Sequence, residues 1–172
     1  VDVTRQPTPS VVGATTVCTL DEVTYSTASV PGSTYAWSLP LGGGTFLTAT
    51  NTNSVMVRWT TAGARSISVT ETAGNCTATS TVNVTVGQKP TTTTVTRVTP
   101  AGQVGQACNG QSITYSTPNN AGNTYEWTVT GGVITNGQGT SSITVQWATV
   151  GNQTVTIKET TVGTQCSTIV IQ

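Results

Sequence analysis

The chain has 172 residues, of which 7% are charged; six acidic side chains balance six basic ones, and histidine is absent. That balance excludes the electrostatic footprint of a nucleic-acid or anionic-membrane binder, and no apolar run approaches the ~18 residues that mark a membrane span. Threonine, roughly a quarter of the residues, is β-branched and favours strands, whereas Gly, Pro and β-branched residues interrupt every window long enough for a helix, so the expected class is all-β.

Laid on itself, the sequence repeats. Cys18, Tyr25, Ser26, Thr27, Tyr35 and Trp37 match Cys108, Tyr115, Ser116, Thr117, Tyr125 and Trp127 at an offset of 90. The offset is 88 from Val55, Val57, Trp59 and Gly63 to Ile143, Val145, Trp147 and Gly151, and it returns to 90 at Cys76 and Cys166. The repeat predicts two modules, residues 1–88 and 89–172, with Gly87-Gln88-Lys89-Pro90 as a short junction. The opening Val1-Asp2-Val3-Thr4-Arg5 resembles Val95-Thr96-Arg97. A chain that begins at Val1 without an initiator Met or a leader pattern is expected to be a mature or excised piece of a longer protein.

Within each module the strands follow from alternation. Val23 and Tyr25, or Ile113 and Tyr115, mark the strand after the first Cys. Thr34-Tyr35-Ala36-Trp37 and Thr124-Tyr125-Glu126-Trp127 come next, with Tyr35, Trp37 and Leu39, and Tyr125, Trp127 and Val129, on one face. A Gly-rich hairpin leads to Val55-Met56-Val57-Arg58-Trp59 or Ile143-Thr144-Val145-Gln146-Trp147, whose odd-numbered residues face inward. Ile67 and Val69, or Val155 and Ile157, follow a Gly turn, and the last strand carries the second Cys with Val82, Val84 and Val86 in the first copy. In the second copy Ile169 and Ile171 fall opposite Thr79 and Thr81, which predicts a bulge or a truncated strand. Short strands separated by turn signals read as two β-sandwiches of immunoglobulin size.

Cys18 and Cys76 stand 58 positions apart, and so do Cys108 and Cys166. This spacing leads to the expectation of one disulfide per module in an oxidising, extracellular setting, each stabilising its module by about 4 kcal/mol. A metal site would need His or a C-x-x-C pair, and neither is present.

The order Cys, Thr-Tyr-Ser, Thr-Tyr-x-Trp, Gly-rich hairpin, Val-x-Val-x-Trp (Ile-x-Val-x-Trp in the second copy), Gly turn, Glu-Thr and Cys resembles the PKD-like modules of large Bacteroidetes surface proteins. Similar modules build gliding-motility adhesins of the SprB type and also accompany secreted enzymes. The resemblance implies immunoglobulin-like sandwiches displayed at the cell surface through type IX secretion, with neighbouring repeats as partners and a surface polysaccharide or solid substrate as a further one. It implies no cofactor. Where the better-known PKD pattern has an acidic turn after the Trp, this chain has Ser38-Leu39-Pro40-Leu41-Gly42, so no calcium role carries over.

The candidate sites are few. Catalysis needs paired titratable groups, and Asp21-Glu22, the one adjacent carboxylate pair, points to opposite faces of a strand, so no enzyme is expected. Glu71 and Glu159 are read as carboxylates that hydrogen-bond backbone N–H groups beside a turn. The Trp residues are read as core, with Trp59 and Trp147, at their strand ends, as the candidates for sugar stacking. Phe46 and Leu47, beside Gly42-Gly43-Gly44, form a candidate contact loop or else fold back onto the sandwich. The Asn-x-Thr sequons at Asn75, Asn83 and Asn152 matter in a eukaryotic secretory protein and are incidental in a bacterial one. The leading expectation is a structural and adhesive repeat; the alternative is an accessory carbohydrate-binding module of a secreted hydrolase.

Overall fold

A computed structural model describes residues 3–91, 94–98 and 106–172; Val1 and Asp2 of the opening stretch and Thr92 and Thr93 of the Thr run lie outside them. The chain divides into two compact units, Val1–Gln88 and Lys89–Gln172, and every regular element in the described residues is a strand.

The first unit contains β1 (Thr16–Cys18), β2 (Glu22–Ser26), β3 (Ser33–Ser38), β4 (Gly44–Phe46), β5 (Ser54–Trp59), β6 (Gly63–Ala73) and β7 (Cys76–Gly87). They form one sheet of order β1-β7-β6-β3 and a second of order β2-β5-β4. The second unit contains β8 (Thr96–Val98), β9 (Ser112–Ser116), β10 (Asn123–Val129), β11 (Gly132–Asn136), β12 (Ser142–Trp147), β13 (Val155–Thr161) and β14 (Ser167–Ile171). Its sheets run β10-β13-β14 and β11-β12-β9-β8.

Alternation places the cores as expected. In the first unit Tyr25, Tyr35, Trp37, Val55, Val57, Trp59, Ile67, Val69, Val84 and Val86 form one buried cluster, and in the second Ile113, Tyr115, Tyr125, Trp127, Ile143, Val145, Trp147, Val155 and Ile157 form another. The outer face of the long sheet is held by hydroxyl pairs across strands, Ser68 with Thr81 at 2.7 Å and Thr70 with Thr79 at 2.8 Å. Ser68 is buried and the Thr70–Thr79 pair exposed, so cross-strand hydroxyl pairs stabilise the sheet both at and beneath its surface.

One of the two alternatives for the last strand is removed, and one sequence expectation changes. β14 holds a constant register from Thr160↔Ser167 to Thr156↔Ile171, so it has no bulge; Val170 packs against the core while Ile169 and Ile171 are exposed on the outer face. The match of Val95-Thr96-Arg97 to the chain start is also displaced. Thr96 pairs with Ser116, and in the first unit Val12 bridges Ser26, the residue equivalent to Ser116. The structural counterpart of Val95-Thr96-Arg97 is therefore Val11-Val12-Gly13.

Each unit receives and releases its chain at opposite ends. In the first, Thr4 lies against Gly74 and Arg5 bonds Glu71, beside the β6–β7 hairpin, whereas Gly87 sits next to Cys18 in the β1–β7 register. In the second, Thr168 Oγ1 donates to the Pro90 carbonyl near the start of β14, and Gln172 pairs with Val155 at the far end. Each unit thus has an incoming pole and an outgoing pole.

Candidate functional site

The aromatic side chains are consumed by the cores. Tyr35 Oη donates to the Ala28 carbonyl at 2.9 Å and accepts from Val30 N–H at 2.8 Å, and Trp37 Nε1 donates to the Thr52 carbonyl at 2.8 Å. The second unit repeats this with Tyr125 on Pro118 and Asn120 and with Trp127 on the Thr140 carbonyl. Their polar tips are thereby satisfied inside the sandwich, as buried Tyr and Trp require.

Trp59 and Trp147, the candidates for sugar stacking, are 0% and 6% exposed. Each meets a tyrosine edge-on, Trp59 with Tyr25 at 6.2 Å and 87°, and Trp147 with Tyr115 at 6.1 Å and 83°. Trp59 Nε1 also donates to Tyr25 Oη at 3.2 Å, and that hydroxyl donates to the Ala14 carbonyl at 2.8 Å. Burial pushes the Tyr25 phenol above the usual tyrosine range, and the Trp59 bond offsets part of the rise. Trp59 presents no face to a ligand, and Trp147 reaches the surface only at the cleft it helps to line.

Glu71 and Glu159 are buried strand residues paired across the sheet with Tyr35 and Tyr125. Their partners are side chains rather than the expected backbone N–H groups. Glu71 Oε1 accepts from Ser33 Oγ at 2.7 Å and from the Arg5 guanidinium, while Glu159 Oε1 accepts from Asn120 Nδ2 at 2.8 Å and Asn123 Nδ2 at 2.6 Å. Glu71 holds the incoming Arg5 and the first residue of β3, and Glu159 holds the loop before β10 and that strand's first residue, both at the incoming pole.

The hairpin holding Phe46 folds back on the sandwich. Phe46 pairs with Val57 and packs against the first core, while Leu47 is 43% exposed. Ile134, paired with Val145 on the equivalent strand, occupies the same place in the second unit. Arg65 ties this hairpin down by donating to the carbonyls of Thr61, Ala62 and Leu41, its side chain lying under Gly43. Gly43 has φ +78° and a Cβ there would meet the Arg65 side chain at 2.4 Å, so the position needs Gly. Gln153 lies in the same way under Gly131 in the second unit.

The cysteines are not paired as expected. Cys76 and Cys108 are free, so neither Cys18–Cys76 nor Cys108–Cys166 is formed. The strand register explains why. Cys18 stands beside Gly87 at the end of β7, and Cys76 begins that strand opposite Ala73. The intervening length is roughly 35 Å at about 3.3 Å per residue, far beyond the ~4.4–6.8 Å between Cα atoms that a disulfide spans. Cys108 and Cys166 likewise lie at opposite poles, Cys108 next to the end of β12 and Cys166 next to Thr161. Cys18 and Cys166 are each disulfide-bonded.

Sequence reading missed the turn that carries Cys18 and Cys108. Cys18 N–H donates to Asp21 Oδ2 at 2.9 Å, Leu20 N–H to the Trp59 carbonyl at 2.6 Å, and Trp59 N–H to the Asp21 carbonyl at 3.1 Å. Cys108 N–H, Gly110 N–H and Trp147 N–H repeat these bonds with Gln111 Oε1, the Trp147 carbonyl and the Gln111 carbonyl. The legible signal was an acceptor side chain three residues after each Cys.

At the outgoing pole of the second unit a cleft of about 530 Å³ is lined by Arg97, Tyr115, Trp147 and Gln153 among others. Its titratable side chains are a guanidinium and a phenol, which supply no acid–base pair. Among the described residues, no three His, Cys, Asp or Glu side chains cluster as metal ligands do.

A family profile described as a PKD-like domain matches the chain twice, over residues 4–86 and 88–170. No curated protein matches it. Among solved structures the chain is similar to the fibronectin(III)-like modules of Clostridium thermocellum CbhA, at 15% identity over 94% of this chain and 91% of that one, with a TM-score of 0.42. It is also similar to titin domains Z1Z2 in complex with telethonin, at 12% identity over 97% and 95% with a TM-score of 0.37. The D00–D0 domain of intimin matches at 12% identity over 95% and 98%, with a TM-score of 0.36.

Proposed function

Because this chain belongs to the PKD-like domain family through both of its modules, we propose that it is a non-catalytic spacer and adhesive segment of a longer extracellular, cell-surface protein of the gliding-motility adhesin kind. The observation that carries this reading is the placement of the chain ends. Each module takes the chain in at one pole and lets it out at the other, so that added copies add reach. The buried indoles support a structural rather than a sugar-stacking role for the aromatics. Display outside the cell agrees with the presence of half-cystines, which persist in oxidising compartments.

Small-angle scattering of chains carrying extra copies of the module tests the spacer. The maximum dimension is expected to grow by a constant step of roughly 30–40 Å per module, from strand length plus loops; a dimension that stops growing overturns the reading. Retention of the chain on insoluble polysaccharide would instead favour an accessory carbohydrate-binding module of a secreted hydrolase.

A further inference from the structure

The four cysteines occupy two kinds of position. Cys76 and Cys166 stand at the incoming poles of their modules, and Cys18 and Cys108 at the outgoing poles. One member of each kind is disulfide-bonded, Cys166 at an incoming pole and Cys18 at an outgoing one. Their counterparts, Cys76 and Cys108, are free, with Cys76 part-exposed and Cys108 exposed.

Both segments are held rigidly. Cys108 is fixed by the turn that its N–H, Gly110 N–H and Trp147 N–H clip to the end of β12. Cys76 follows a two-residue hairpin, opposite Ala73, in which Gly74 takes φ +57°. Each free thiol therefore stands on a fixed backbone at the pole where the chain enters or leaves its module. The other cysteine of each module lies at the opposite pole, as the register of β7 shows for Cys76 and the bonds at Trp147 and Thr161 show for Cys108.

We propose that Cys76 and Cys108 are half-cystines of bonds to further copies of this repeat, the outgoing-pole cysteine of one copy bonding the incoming-pole cysteine of the next. Their counterparts Cys166 and Cys18 are disulfide-bonded, so a cysteine at either kind of pole forms such a bond in this fold. The inference rests on the tandem-array reading above. Chemically, two thiols give up two protons and two electrons to a disulfide oxidant. The thiolate of one cysteine attacks the oxidant, releasing one thiol and leaving a mixed disulfide, and the second cysteine's thiolate displaces the other. One new S–S bond forms between modules as the oxidant's S–S bond is lost.

The experiment uses the whole chain, a second copy standing in for the flanking repeat, in a glutathione and glutathione-disulfide buffer. Non-reducing gels and peptide mapping are the readouts. The wild-type chain is expected to give a ladder of covalent oligomers joined Cys76 to Cys108. Cys76→Ser and Cys108→Ser, each alone, lose the ladder and stay monomeric; mixed, they give a dimer and nothing larger. Circular dichroism checks that both variants fold, since neither substitution touches a core side chain. Dimers formed as readily by either variant alone, or a mixture that stays monomeric, overturn the proposal. Either result leaves the scattering step per module unchanged, so failure of the staple is distinguishable from failure of the spacer.

Discussion

The two modules carry one backbone plan and two different polar solutions. Glu71 and Glu159 sit at the same place, yet the first is held by Arg5 and Ser33 and the second by Asn120 and Asn123. Arg65 and Gln153 lie under equivalent glycines with different head groups. Trp59 donates to Tyr25, whereas Trp147 Nε1 has no partner among the described residues. What repeats is geometry: a buried carboxylate bonded to the first residue of the Tyr-x-Trp strand, a long side chain under a hairpin Gly, and an indole against a phenol. The polar partners differ between the modules, and in the second both Trp147 Nε1 and Glu159 Oε2 are buried without one among the described residues.

Substituting the shared element should produce the largest effects. Trp59→Ala and Trp147→Ala are each expected to destabilise by about 3–5 kcal/mol through the cavity they leave, with hydrogen-exchange protection lost in the peptides of the altered module. Equal protection in variant and wild type would mean that these indoles do not anchor the cores.

The polar partners should separate the modules. Arg5→Ala leaves Glu71, 2% exposed, with Ser33 as its remaining donor. A loss of about 1–2 kcal/mol is expected, moderated because the Arg5 side chain is itself 43% exposed. The loss should appear in first-module peptides alone. Trp59→Phe should cost about 1 kcal/mol more than Trp147→Phe, since it alone removes an indole hydrogen bond; urea melts of the two variants measure the difference. Arg65→Gln, which installs the second module's solution in the first, should shift stability by less than about 0.5 kcal/mol.

The smallest effect concerns alkali. A phenol whose folded pKa is raised holds its proton more tightly in the folded state. Its contribution is fully present below the ordinary tyrosine value of about 10 and fades as pH climbs through the folded value. Urea midpoints measured from about pH 9 to about pH 11 should fall less steeply in Tyr25→Phe than in the wild-type chain. A parallel fall in both proteins would remove Tyr25 from the account.

The cores were legible because they rest on period-two alternation, and Val55, Val57 and Trp59 face inward as Ile143, Val145 and Trp147 do. The cysteine pairing was not. Equal spacing of Cys18–Cys76 and Cys108–Cys166 follows from repetition itself, so it says nothing about which cysteines bond. The informative quantity is the position of each Cys along the last strand, and register is a tertiary property. The partners of Glu71 were hidden for a related reason: Arg5 and Ser33 are distant in sequence and meet only when the chain start returns to the incoming pole. The equivalence of Ile134 and Phe46 is not legible in the sequence, because hairpin length differs and only the pairing with Val57 and Val145 aligns them.

The threonine ladders on the outer face bear on the medium in which such a chain works. A surface hydrated mainly by hydroxyls, and carrying only six cations and six anions in 172 residues, has little charge for dissolved salt to screen. Its cohesion and solubility are expected to be nearly the same in fresh water and in brine.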